Sequence, residues 1–254
     1  MDLICFSHIR WDFVYQRPQH LLTRFALYNR VFIIEESLLD GKSNYYDIEE
    51  QKEDNLSVVK LYLSRELRPE QKNKTLIALI DSLISAMNIR QYMLWYYTPM
   101  ALEYSDHLHP KLIIYDCMDE LSAFKFAPPQ LTTMEKELMK KADVVFTGGQ
   151  SIYEAKKNAH PNIHAFPSSI DKHHFGKART MKEDTADQKN IPHPRFGFFG
   201  VIDERFDIEL IDAVAKAKPG WQFVLLGPVV KIDPATLPNY DNIHYLGGKK
   251  YDEL

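Results

Sequence analysis

Residues 111–166, KLIIYDCMDELSAFKFAPPQLTTMEKELMKKADVVFTGGQSIYEAKKNAHPNIHAF, decide the fold. Three short β-branched and aromatic runs stand out: Lys111–Tyr115, Val144–Thr147 and Ile163–Phe166. Two segments of helical period, Thr132–Lys141 and Ser151–Asn158, separate them. Each helix opens with a hydroxyl and a glutamate three residues on, Thr132 with Glu135 and Ser151 with Glu154. That spacing fits a capping box, in which side chains satisfy the exposed N–H groups of the first turn. Strand, helix, strand, helix, strand is the order of a parallel sheet covered on both faces.

The same alternation extends upstream. Strand runs occur at Leu3–Phe6, Val31–Ile34, Leu56–Leu61 and Tyr92–Tyr97, and helical periods at Pro18–Tyr28 and Glu70–Met87. Downstream, the polar stretch Gly176–Pro194 has almost nothing to bury and reads as a linker. Alternation restarts with a strand at Arg195–Phe199, a helix at Ile208–Ala217, and strands at Trp221–Leu226 and Ile243–Tyr245. We therefore expect an α/β protein with a doubly wound first domain at 1–175, a linker at 176–194 and a partial second domain at 195–254. Two such domains would face one another across a cleft.

Composition narrows the function. Of 254 residues, 45% are hydrophobic and 26% charged, which excludes collagen-like, coiled-coil and wholly disordered chains. Lys plus Arg number 31 against 35 Asp plus Glu, a net charge of -4 that gives no basic field for nucleic acid. Two cysteines build no disulfide framework, so Cys5 and Cys117 read as buried thiols in a reducing compartment. The start lacks a signal peptide's order, and no apolar run approaches the ~20 residues that span a bilayer. The expected place is the cytoplasm, which leaves peripheral contact with the inner membrane face open.

Open α/β sheets bind ligands beyond the carboxyl ends of their strands, so the loops there are searched for chemistry. The loop 7–20 is long and aromatic and holds no G-x-G-x-x-G, so the dinucleotide fingerprint is absent. Trp11 could stack on a sugar face while His8 and Arg10 bind oxygens; the plainer reading has Trp11 and Tyr15 capping the sheet edge. Asp116, Asp119 and Glu120 crowd one strand end, which should raise at least one pKa and supply a general base, Asp119 first. The plainer reading makes Asp116 a turn cap and Glu120 a solvated charge. Thr147–Ser151 could hold an anion at a helix start, but two glycines there are more often only a turn.

In the second domain Gly200 permits close backbone approach, and Arg205 could fork onto a diphosphate. Alternatively Arg205 pairs with Asp203 or Asp207. No metal site is expected: His173 and His174, read as strand neighbours, point apart, and His107 and His109 have no ligand cluster. No G-x-S-x-G elbow occurs.

These residues resemble a known family. Ala142–Thr147, the helix after it, Ile163–Phe166 and Pro167-Ser168-Ser169-Ile170-Asp171-Lys172-His173-His174-Phe175 are similar to the close of the first domain in retaining family 4 glycosyltransferases of GT-B fold. That family reads P-N-G-V-D-x-x-x-F there; Ser168 and Ser169 replace Asn and Gly, while Pro167, Ile170, Asp171 and Phe175 keep the frame. Trp11 with Gln16–Leu21, and Tyr115–Glu120, resemble a bacterial subgroup tied to exopolysaccharide and cell-wall glycan synthesis. Gly200–Asp207 and Asn242–Gly247 look like parts of its donor domain.

The resemblance implies two Rossmann-like domains, the second incomplete in this chain. It implies a metal-independent transferase, without a cofactor, that moves sugar from a nucleotide-diphosphate sugar to a glycan or lipid-linked acceptor. Carried over by position, His8, Arg10 and Trp11 bind the acceptor, Asp119 faces the reacting sugar, and Gly200 and Arg205 meet the donor diphosphate. The family's E-x7-E region would fall beyond Leu254, so we expect the 254-residue chain to show no turnover and residues 1–175 to be well ordered. Two rivals stay open: a GT-B sugar-nucleotide epimerase, and a carbohydrate- or nucleotide-binding module without turnover.

Overall fold

Leu3, Ile4, Cys5 and Phe6 alternate between the two faces of a nine-stranded sheet and are wholly buried on both. They belong to the first of two units, Met1–Ser169 and Ile170–Leu254, in a computed structural model that describes residues 1–52 and 55–254. Its elements run β1 (Asp2–Ser7), α1 (Arg17–Phe25), β2 (Val31–Glu35), β3 (Leu38–Gly41), β4 (Tyr45–Glu50), β5 (Leu56–Ser64), α2 (Lys72–Ala86) and β6 (Tyr92–Tyr96). Then come α3 (Leu102–Ser105), β7 (Leu112–Cys117), α4 (Leu131–Lys141), β8 (Val144–Thr147), α5 (Gln150–Lys156) and β9 (Ile163–Ala165). The sheet order is β3-β5-β2-β1-β6-β7-β8-β9, all parallel, with β4 antiparallel to β5.

The strand pleat sends alternate residues to two separate cores. Ile4 and Phe6 pack with Leu76, Ile80 and Leu83 of α2, while Leu3 and Cys5 pack with Leu22 of α1 and with Ala26 just past its end. Each fully buried Leu, Ile or Phe contributes roughly 1.5–3 kcal/mol, which is why nearly continuous apolar strands are needed at the sheet centre.

Two details of the first unit differ from the sequence expectation. The pair β3 and β4 is additional; Tyr-Tyr-Asp-Ile-Glu-Glu of β4 lies at an exposed edge and carries little apolar pattern to read. The capping boxes do not form: α4 and α5 start one residue earlier, at Gln130 and Gly149 as N-caps, so Thr132 and Ser151 fall inside the first turn. Glu135 instead binds Tyr115 and Lys156, and Glu154 binds Lys157 and Gln150. Glu135 is won by partners distant in sequence, Glu154 by neighbours within a turn of it.

The second unit contains α6 (Lys172–Gly176), β10 (Arg195–Phe199), α7 (Ile208–Ala217), β11 (Gln222–Leu226) and β12 (Ile243–Gly247). Its three strands are parallel in the order β10-β11-β12. Ile202, Ala215, Phe223, Leu225 and Ile243 form its core. His173 and His174 sit on α6, not on a strand; their N–H groups are capped by Asp171. The division falls at Ser169, and residues 176–194 belong to this unit, tied to it by Arg195–Asp184 and Lys249–Asp187 ion pairs.

No helix among the described residues is long and apolar enough to cross a membrane. Both cysteines are buried free thiols. Burial raises Cys5 well above its ordinary value and pushes Cys117 up to about 12, so both stay protonated at neutral pH. Since the thiolate is the reactive form, a thiol reagent should label neither cysteine in the native protein and both in denaturant. Rapid native labelling of either would contradict this burial.

Candidate functional site

Most buried polar residues of the first unit gather at the carboxyl ends of its strands. Ser7 ends β1, Glu35 ends β2, Asp116 is the penultimate residue of β7, and Thr147 ends β8; all are buried. Arg17 and Gln19, on the first turn of α1, are buried with them. Each finds a protein partner out of water: Arg17 and Asp116 bind each other, Glu35 takes Arg10 and the Trp11 N–H, and Ser7, Gln19 and Thr147 bind loop backbone.

Arg17 is the central cation. Its Nε donates to both Asp116 oxygens, at 3.1 and 2.9 Å, and its Nη2 lies 2.9 Å from Oδ1. Nη1 donates to the Phe166 carbonyl, and the guanidinium sits 5.3 Å from the Phe166 ring centroid. One side chain thus ties together α1, the end of β7 and the segment after β9. Burial pushes the Asp116 carboxyl up, and Arg17 opposes that without cancelling it. The Tyr97 hydroxyl and Trp95 indole favour the anion as well, although neither reaches hydrogen-bond geometry.

The crowding of three carboxylates expected after β7 is corrected here. Asp116 turns to Arg17, whereas Glu120 turns to Lys156, at 2.9 Å. Asp116 is shifted by burial, not by a neighbouring carboxylate. Burial also works to raise Glu120, but Ser122 and Lys156 outweigh it and hold that carboxyl below its ordinary value. Lys156 bridges Glu120 to Glu135, which accepts the Tyr115 hydroxyl at 2.8 Å. Asp119 is half-buried between these two pairs in sequence, and its carbonyl accepts the Cys117 thiol at 3.6 Å.

The loop after β1 carries His8, Arg10 and Trp11, all half-buried. The Trp11 ring packs partly on the core beside α1, so it is both a cap for that core and a partly open face. Arg10 Nη1 donates to Glu35 at 2.8 Å. Gly148, after β8, has a packing role: a Cβ there would lie 2.2 Å from the Met118 carbonyl oxygen. The helix that follows it has seven residues and no side-chain cap.

In the second unit the strand ends make a ledge of glycines. β10 is followed by Gly200, β11 by Gly227, and β12 ends in Gly247, with φ of 152°, 146° and 70°. Gly200 N–H donates to the Leu226 carbonyl at 2.9 Å, and Gly227 N–H to the Gly247 carbonyl at 2.8 Å. A Cβ on Gly227 would stand 1.7 Å from the Gly200 oxygen. Three neighbouring strands therefore end in backbone without side chains, the surface that a phosphate needs for close approach. Arg205, in the loop after Gly200, forks onto Asp203 through Nε at 3.0 Å and Nη2 at 2.7 Å. That fork holds Asp203 below its ordinary value.

Sequence reasoning missed Arg17, Glu35 and Lys156. Arg17 stands in the quoted Gln16–Leu21 segment, but its partner is 99 positions away. Among the described residues no three His, Cys, Asp or Glu side chains gather as a metal group.

No protein-family model matches the chain, and no curated protein matches it. Solved structures do. One is described as the trehalose-6-phosphate protein from E. coli bound with UDP-2-fluoro glucose (10% identity, TM-score 0.62, all of this chain against 75% of that one). Another is the UDP-forming alpha,alpha-trehalose-phosphate synthase from Burkholderia xenovorans in complex with glucose-6-phosphate (12%, 0.57, 100% against 76%). A third is the UDP-GlcNAc 2-epimerase from Neisseria meningitidis bound to UDP-GlcNAc (11%, 0.54, 100% against 74%). At this identity the likeness establishes the fold: α/β of GT-B type with two Rossmann-like units, the second unit holding a three-stranded sheet.

Proposed function

We propose that this chain serves glycosyl transfer, binding a nucleoside diphosphate sugar in its second unit and an acceptor sugar in its first. The observation that carries the reading is the glycine ledge at the ends of β10, β11 and β12, with Arg205 in the adjoining loop. Side-chain-free strand ends that let a phosphate approach closely, together with a guanidinium, suit a diphosphate, and positive charge there stabilises a departing nucleotide without a metal ion. His8, Arg10 and Trp11 serve the acceptor, and Asp119 is the group offered to the reacting sugar. The acceptor is a glycan or lipid-linked sugar of bacterial exopolysaccharide or cell-wall synthesis, as in the retaining family 4 enzymes whose motifs this sequence resembles. A lipid-linked acceptor would bring the chain to a membrane surface from the cytoplasmic side. The motif order along the chain supports this reading, as do the UDP-sugar-bound proteins of like fold.

Titration calorimetry with UDP tests the donor half. UDP should bind, and Arg205→Lys should weaken it about tenfold, since a point charge cannot reproduce the planar fork and a charge-assisted bond is worth about 1.5–3 kcal/mol. Because Asp203 holds that fork, the diphosphate must exchange with it. Equal affinity in both proteins would leave Arg205 as the partner of Asp203 alone. The epimerase likeness favours a second reading, isomerisation of the sugar on its nucleotide. Incubation with UDP-GlcNAc and analysis of the sugar product separates the two.

A further inference from the structure

The carboxyl end of the second strand is where dinucleotide-binding sheets present an acidic side chain to a ribose. Glu35 holds that position, but it is 2% exposed and committed to its own chain. Its Oε1 accepts the Trp11 backbone N–H at 2.7 Å, and its Oε2 accepts Arg10 Nη1 at 2.8 Å. Gln19, 1% exposed, closes the other side. Its Nε2 donates to the Trp11 carbonyl at 2.8 Å, while its Oε1 accepts the Gln16 N–H at 3.0 Å. Both hydrogen-bonding groups of Trp11's backbone are thus gripped by side chains that solvent does not reach. Ser7 adds a third tie, accepting the Ile9 N–H at 3.0 Å and donating to the Ile9 carbonyl at 2.8 Å.

A loop without regular structure would lose backbone freedom at every residue if a ligand had to order it. Here β2 and α1 have already done the ordering. Affinity gained by such preorganisation needs no contact between the ordering residue and the ligand. We propose that Glu35 and Gln19 are positioning residues that fix the Arg10 guanidinium and the Trp11 indole for a polyhydroxylated ligand without touching it. The ligand half of this rests on the acceptor reading above. Charge-assisted bonds to Glu35 are the stronger half of the grip, and Gln19 the weaker.

The test uses the full chain and reads hydrogen exchange at Trp11 together with glucose 6-phosphate binding by calorimetry. Glu35→Leu removes both bonds at similar volume, and Glu35→Gln retains one acceptor for the Trp11 N–H. Exchange at Trp11 should quicken at least tenfold in Glu35→Leu and less in Glu35→Gln, while β1 and β6 amides keep their protection. A merely structural role would loosen those strands too, and that result, or unchanged exchange at Trp11, overturns the proposal. Glucose 6-phosphate affinity should fall at least tenfold in Glu35→Leu; equal affinity overturns the positioning role. If wild type binds no glucose 6-phosphate while the exchange pattern holds, the ligand half of the proposal is overturned and the grip on the loop is upheld. Should Glu35→Leu fail to fold, Gln19→Leu carries the same comparison from the other side of Trp11.

Discussion

Arg17→Met should destabilise the first unit by about 3–5 kcal/mol at neutral pH, the usual loss when one partner of a buried ion pair is removed. Asp116 is wholly buried and Arg17 nearly so, and Arg17 is the only cation that the structure pairs with Asp116 among the described residues. Without it the carboxylate faces the Cys5 side of the sheet, where burial already raises its pKa. The sign of the pH dependence follows. A carboxyl with a folded-state pKa above its unfolded value binds its proton more tightly when folded. Its contribution is most favourable below the ordinary carboxylate range and declines as pH rises through the raised value. Loss of Arg17 raises that value further, so the Arg17→Met deficit should be larger at pH 8 than at pH 5. Urea unfolding at the two pH values measures it. The double variant Arg17→Met/Asp116→Leu should recover most of the loss, because apolar replacements of a buried pair are often neutral. A single variant within about 1 kcal/mol of wild type, or a deficit that grows on acidification, would show that this pair does not hold the strand ends together.

That prediction also marks what the sequence could disclose. The strands Val144–Thr147 and Arg195–Phe199 and the helix Ile208–Ala217 were legible to the residue, because periodicity and flanking glycines are local signals. The edge strand Tyr45–Glu50 was not, since an exposed antiparallel edge demands no apolar pattern. Capping boxes failed where a distant partner won the glutamate, as Lys156 and Tyr115 did with Glu135. The candidate site divides the same way. Trp11 and Arg10 announced themselves by residue type in a loop at a strand end. Glu35, Arg17 and Asp116 owe their roles to partners far away in sequence, and Gln19 to the Trp11 carbonyl of an irregular loop; residue type alone cannot tell a buried ion pair from a solvated one. Gly200 was visible as a point of close backbone approach, yet the ledge became evident only when β10, β11 and β12 lay side by side.

Gly227→Ala should disrupt the second unit. The new Cβ would lie 1.7 Å from the Gly200 carbonyl oxygen and 2.7 Å from its carbon, both backbone atoms that cannot rotate away. The φ of 146° adds strain that L residues rarely bear. Together these amount to roughly 2–6 kcal/mol, from about 1–3 for the dihedral and about 1–3 for overpacking. The core that must absorb this is small, five buried apolar residues with partly buried neighbours. Relief requires the loops after β10 and β11 to separate, which breaks the bonds from Gly200 N–H to Leu226 and from Gly227 N–H to Gly247. Hydrogen exchange should therefore show β10, β11 and β12 losing protection while β1 and β6 keep theirs. UDP binding should be lost with the ledge. Gly220→Ala is the control, since nothing lies within 4 Å of its added Cβ, and it should stay within about 0.5 kcal/mol of wild type. If Gly227→Ala keeps both its exchange protection and its UDP affinity, the close approach of the two loops is wrong. If protection falls but UDP still binds as tightly, the loops do meet, and the diphosphate is held somewhere other than the glycine ledge.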